Sequence, residues 1–178
     1  MKAPIQRILF ATDLSSKARR MFPHVANLAA HHCASLVILH VMQEAPKKET
    51  YTNMVANLIG EDRWQALRDA DAQQARSILI GKKTEAAKIR SAVGSFCSFM
   101  QSQHPEIKIL EDDIIAVQGP VAETIVQTAE KAGCDVIVMG YHRRGGLTDV
   151  MAGSVLKAVL RHTHMPVLLM PPPDETEK

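Results

Sequence analysis

Short runs of consecutive apolar residues alternate along the chain with longer stretches in which apolar positions recur every three or four residues. Four runs read as strands: RILFATD (7–13), SLVILHVM (35–42), DVIVMG (135–140) and PVLLM (166–170). They are rich in Val, Ile and Leu and lack polar alternation, which predicts strands covered on both faces, as in a parallel sheet under helices. DDIIAVQG (112–119) predicts a fifth strand, third in chain order. Between the first two strands lies LSSKARRMFPHVANLAAHHC, where Ser15 or Ser16 fits a helix N-cap and Val25, Leu28 and Ala29 form an apolar stripe. Pro23 inside it predicts a kink or a late start. After the third strand, Pro120 marks a helix start, Val121, Ile125, Val126 and Ala129 keep helical spacing, and Gly133 marks the stop. The last helix is predicted to begin near Ser154, with Val155, Leu156, Val159 and Leu160 on one face. Strands alternating with helices imply βαβ units with right-handed crossovers, and hence a doubly wound α/β sheet.

The segment 47–105 is too long for one simple crossover and reads as mostly helical, with Gly60 and Gly81 as punctuation. Ile89, Val93, Phe96 and Met100 predict an apolar face packed on the sheet, and Met54, Val55, Leu58, Ile59 and Trp64 form a second apolar cluster. Extra core under an enlarged crossover is the preferred reading; a lid or a partner surface is the other. PPPDETEK (171–178) reads as a solvated, flexible tail.

Composition adds bounds. A chain of 178 residues fits a single domain, 1–178, large enough to bury a core. Hydrophobic residues at 46%, charged residues at 22% and a net charge of +2 describe an ordinary globule, with no electrostatic case for nucleic-acid or membrane partners. Cys33, Cys97 and Cys134 are odd in number and lack a CxxC spacing, which suggests neither a disulfide framework nor a zinc site. Gln6, Arg7 and Asp13 interrupt what would be an apolar secretion core, and no apolar run approaches the ~20 residues of a membrane span. A cytoplasmic location is expected.

The candidate chemistry lies in MGYHRRGGLTDVMAGSVLKAVLRHT (139–163): a glycine ending an apolar run, a basic loop, then Gly-Ser opening a helix. In open α/β sheets ligands bind beyond the carboxyl ends of strands where the winding reverses. The strands ending at Asp13 and Gly140 are the candidates for flanking that crevice. Asp13 can accept hydrogen bonds from a ribose or a base, although an aspartate capping the following helix is the competing reading. Backbone N–H groups opening the 154–163 helix can face phosphate oxygens, with Gly153 leaving room and Ser154 adding a hydroxyl.

Gly140, Tyr141, His142, Arg143, nine residues, then Gly153 and Ser154 follow the pattern of a glycine, two residues, a glycine, nine residues and Gly-Ser, save for Arg143. With ILFATDLS (8–15), LVILHV (36–41), GPVAETIVQTAEKAGCDVIVMG (119–140), RGGL (144–147) and GSVLKAVLRHTHMPVLLM (153–170), the chain resembles the universal stress proteins of the UspA family over nearly its whole length. Only 47–105 departs, in length.

That resemblance implies an open five-stranded parallel sheet in order 3-2-1-4-5 with helices on both faces, Rossmann-like and similar to the adenine nucleotide alpha-hydrolases. It also implies homodimers through the last strand (166–170) and a role in stress resistance. The family divides into ATP binders and non-binders. By position, the ATP-contacting set corresponds to Asp13, Val41 through its backbone, Met139, Gly140, Gly153, Ser154 and Val155, with Mg assisting the phosphates. Arg143 replaces a glycine. A Cβ and a long side chain restrict the close approach of phosphate to backbone, whereas the guanidinium of Arg143 or Arg144 is itself a phosphate partner.

Other motifs carry less. Gly81-Lys82-Lys83-Thr84 lacks the upstream glycine and preceding strand of a phosphate-binding P-loop. The third strand ends in AVQG, without the aspartate of a response regulator. His31, His32 and Cys33 are adjacent, so on a helix they diverge; His142 is a loop histidine without a partner, and His162 and His164 flank the end of the last helix, where they serve its dipole or solvent. No nucleophile, base and orienter assemble, so an efficient enzyme is not expected. The leading expectation is an adenine-nucleotide-binding homodimeric module whose ligand state alters its interaction with another, unknown protein. The alternative is a nucleotide-free structural or interaction module; a slow ATP hydrolase comes third.

Overall fold

The computed structural model describes residues 5–42, 85–103, 113–141 and 153–171, with single positions 57, 60, 62 and 65 between them. Five apolar segments pair as strands: β1 (Arg7–Ala11), β2 (Ser35–Met42), β3 (Ile114–Gln118), β4 (Val136–Gly140) and β5 (Val167–Met170). All pairings are parallel and the order is β3-β2-β1-β4-β5. The helices are α1 (Ser16–His32), α2 (Glu85–Gln103), α3 (Val121–Lys131) and α4 (Ser154–His162).

Alternation along the strands divides the core in two. Ile8, Phe10, Leu36, Ile38 and Val138 face α1 and α2, meeting Phe22, Val25, Ile89 and Val93. Leu9, Val37, Leu39, Ile137 and Met139 face α3 and α4, meeting Ile125, Val126, Leu156 and Val159. Both faces of the central strands are therefore dry, which is why their sequences show no polar alternation.

Local chemistry fixes the helix ends. Ser15 caps α1, its hydroxyl accepting the Ala18 N–H at 3.2 Å. The helix spans Pro23 and starts well before it, so the expected late start does not occur. Cys33 stops α1 in the left-handed region at φ 53°, with Ala34 N–H returning to the Ala29 carbonyl. Gly133 stops α3 in the same way at φ 64°, with Cys134 N–H returning to Ala129. The three cysteines are free; burial pushes the Cys97 thiol up to about 12 and the Cys134 thiol up to about 11. No helix among the described residues is long and apolar enough to cross a membrane.

Two further expectations need correction. β1 stops at Ala11, so Asp13 lies in the turn beyond it. Leu160 is 50% exposed, outside the buried face of α4. It lies about 100° round the helix from Val159, and β5 ends the sheet. Phe96 and Met100, the 54–64 cluster and the Gly81–Thr84 motif lie outside the described residues or side chains, as do His142, Arg143 and Arg144.

Candidate functional site

Beyond Ala11 the chain must leave the sheet and enter α1 within four residues. Thr12 N–H makes the last ladder bond, 2.9 Å to the Leu39 carbonyl. Thr12 Oγ1 then accepts Leu14 N–H at 3.1 Å, and Asp13 Oδ1 accepts Ser15 N–H at 3.0 Å. Leu14 sits at φ 58°, an unfavourable conformation for a branched side chain, held because that side chain is buried in the core. The turn is thus built by the protein itself. It leaves the exposed Asp13 carboxylate with acceptor capacity to spare.

The opposite wall comes from β4 and α4. Gly140 ends β4, and Gly153 precedes α4 in extended conformation with no side-chain cap. Lys157 N–H closes the first helical turn onto Gly153, leaving the N–H groups of Ser154, Val155 and Leu156 without intrahelical partners. The first turn of α4 contains no acid. A helix start without acid or cap is a favourable seat for an anion.

Between these walls lies a cleft of about 560 Å³, within the size range of small-molecule sites. Leu39, Val41, Val121 and Ile125 give it an apolar side, while Asp13 and Lys17 are the charged side chains on its described wall. Strand parity explains Val41. Ser35 and Leu39 turn their backbone polar groups toward β1, bonding Gln6 and Thr12; Val41, two residues further, turns the same way but past the end of β1. Its N–H and C=O therefore face the cleft.

Of the residues expected from sequence, Asp13, Val41, Met139, Gly140, Gly153 and Val155 come together on this wall. Ser154 stands beside it, exposed, and is not one of the lining residues. Sequence reasoning missed Lys17, Met21 and Tyr141. Lys17 had a signal, since it lies in the turn of α1 that follows Asp13; Met21 had none, because it reads as ordinary core. His40 is a further surprise. It is buried beneath the cleft with Nδ1 2.9 Å from the Thr12 carbonyl oxygen. Burial pushes its pKa below the ordinary value, outweighing the Thr12 carbonyl and the Asp13 charge, which act in the opposite direction.

Comparison with known proteins gives a consistent result. The profile of the universal stress protein family matches residues 4–171. The universal stress protein MJ0577 of Methanocaldococcus jannaschii is 27% identical over 171 residues, covering 96% of this chain and 97% of its own. The universal stress protein YxiE of Bacillus subtilis is 26% identical, covering 92% and 97%. Among solved structures, UspA from Lactobacillus plantarum superposes with a TM-score of 0.55 at 22% identity, covering 95% of this chain and 99% of its own. A universal stress protein in complex with cAMP gives a TM-score of 0.52 at 18% identity, covering 96% and 100%.

Proposed function

The chain belongs to the universal stress protein family, and from that premise we propose that it is a stress-response module whose cleft binds an adenine nucleotide, with ATP the first ligand to test. The observation that carries this is the open backbone edge of Val41 on the apolar side of a cleft whose other side is the uncapped start of α4. A purine ring fits the first and a phosphate group fits the second. Asp13 lies between them in chain connectivity to β1, where a carboxylate would accept from ribose hydroxyls. Lys17 and the α4 dipole would favour the phosphates, and Arg143 and Arg144 would join them as donors. Mg bound by the phosphates themselves would lower their charge. The complex of a structurally similar protein with cAMP supports an adenine nucleotide in this fold.

The β5 edge carries the second half of the proposal. Leu168 on β5 is 39% exposed, and among the described residues β5 has a strand partner on one side only. An apolar, unpaired edge is a liability that pairing with a second copy removes. We infer a homodimer through β5, with the nucleotide modulating what that dimer contacts.

The test is to denature freshly purified protein, chromatograph the released small molecules, and titrate ATP into the stripped protein by calorimetry. Nucleotide near one equivalent per chain, or saturable heat, is expected. Neither would leave a nucleotide-free interaction module as the reading. Sedimentation should give a dimer at micromolar concentration, and Leu168→Lys should give monomer.

A further inference from the structure

His40 alternates with Leu39 and Val41 along β2, so it faces the first core beside Ile38 and Met42 while its neighbours face the second. Its Nδ1 meets the Thr12 carbonyl oxygen at 2.9 Å. A carbonyl only accepts, so Nδ1 carries the hydrogen. Nε2 keeps a lone pair with no partner among the described residues. A polar ring held in an apolar core at that cost invites the question of what its single bond achieves.

The answer lies in the β1–β2 ladder. In a parallel ladder an inward N–H bonds the carbonyl one residue before its opposite number. Ser35 is opposite Arg7 and bonds the Gln6 carbonyl at 2.8 Å. Leu39 is opposite Ala11. Carried on by two residues, the same rule would send Val41 N–H to the Thr12 carbonyl and seal the strand edge that faces the cleft. That bond is absent among the described residues; the Thr12 carbonyl is engaged by His40 instead.

We propose that His40 is a positioning residue of the base site: its Nδ1–H holds the Thr12 carbonyl out of the β1–β2 ladder and keeps the Val41 N–H and C=O open to the edge of a purine. The proposal rests on the nucleotide reading of the cleft. The freed edge offers one donor and one acceptor. Adenine presents the complement, an acceptor at N1 and a donor at its exocyclic amine, whereas hypoxanthine carries N1–H and O6 and reverses both. His40 thereby sets which purine the cleft accepts without touching it.

The experiment is calorimetric titration of ATP and ITP into wild-type protein, His40→Leu and His40→Asn. The asparagine amide supplies an N–H close to the position of Nδ1 and keeps the bond to Thr12. Wild type and His40→Asn should prefer ATP by roughly tenfold, as expected for one mismatched donor and acceptor pair. In His40→Leu the preference should shrink to within about threefold. No ATP preference in wild type, or an undiminished one in His40→Leu, overturns the proposal. A second measurement needs no variant: in nucleotide-free wild type, amide hydrogen exchange at Val41 should be far faster than at Leu39, which lies within the ladder. Equal protection at the two positions overturns the proposal even where His40→Leu does not fold. Wild type that binds neither nucleotide defeats the functional reading of the cleft, and the Val41 exchange rate then still decides the role of His40.

Discussion

The Met21 sulfur lies 3.0 Å, and its terminal methyl 3.1 Å, from where a Cβ on Gly140 would stand. Met21 is buried in the core beneath the cleft, and Gly140 ends the strand that forms the cleft wall. The protein's own packing therefore favours glycine here, apart from any ligand. Gly140→Ala should cost about 1–2 kcal/mol, limited by the flexibility of the methionine tail. In a Met21→Ala background the same change should cost clearly less. Urea denaturation of the four proteins measures the coupling, and simple additivity would mean that the contact does not set the residue.

Gly153 is the opposite case. Among the described residues nothing lies within 4 Å of a Cβ built there, and its φ of −54° suits any residue. Alanine at a helix N-cap costs about 1 kcal/mol or less relative to glycine. Gly153→Ala should thus leave the melting temperature within a few degrees of wild type, yet weaken ATP binding severalfold by intruding on the phosphate seat. Unchanged affinity would place the phosphates elsewhere.

The sheet margin opposite the cleft holds an asymmetric ion pair. Arg7 at the start of β1 pairs with Asp113 just before β3; the arginine side chain is 37% exposed and the aspartate 5%. Removing the arginine strands a buried carboxylate, whereas removing the aspartate leaves a side chain that is already partly exposed. Arg7→Met is expected to destabilise by about 3–5 kcal/mol, and Asp113→Leu by much less. The double variant Arg7→Met/Asp113→Leu should recover most of the loss. Chemical denaturation checks the order, and equal single-variant costs would refute it.

Burial of His40 makes stability depend on pH. Its folded pKa lies below the ordinary 6.5. Above that value the ring is neutral in both states and its contribution is fully present. As pH falls below 6.5 the unfolded chain takes up a proton that the folded protein refuses, so stability declines until the folded pKa is passed. The slope from this one group is at most about 1.4 kcal/mol per pH unit. His40→Asn should flatten the loss of stability between pH 7 and pH 5; parallel curves for variant and wild type would clear His40 of the effect.

Much of this fold is legible in the sequence because its central strands are dry on both faces. Ile8 to Phe10, Leu36 to Leu39 and Val136 to Met139 have to be apolar without alternation, and they stand out as runs. Helix ends were readable where one residue does the work, as with Ser15 and Gly133. Leu160 misled because helical periodicity continues whether or not a neighbour exists to cover it. The cleft was half readable: Asp13, Gly140 and Gly153 carry local signals. The open edge of Val41 depends on where β1 stops, which the Thr12 and Asp13 side chains set by turning the backbone, and on the Thr12 carbonyl meeting His40 in place of the ladder. His40 looked like one more member of an apolar strand, since its partner carbonyl is 28 residues away.

The strand order has a consequence for how the protein comes into being. β1 and β2 supply Asp13 and Val41 early in the chain, but the wall that faces them, β4 and the start of α4, is contributed by residues beyond 135. During synthesis, which proceeds from the N-terminus, the ribosome delivers half a crevice long before the other half. A nascent or truncated chain lacking β4 has no cleft for a ligand to enter. The cleft is complete only once the start of α4 has been made, with β5 still to follow.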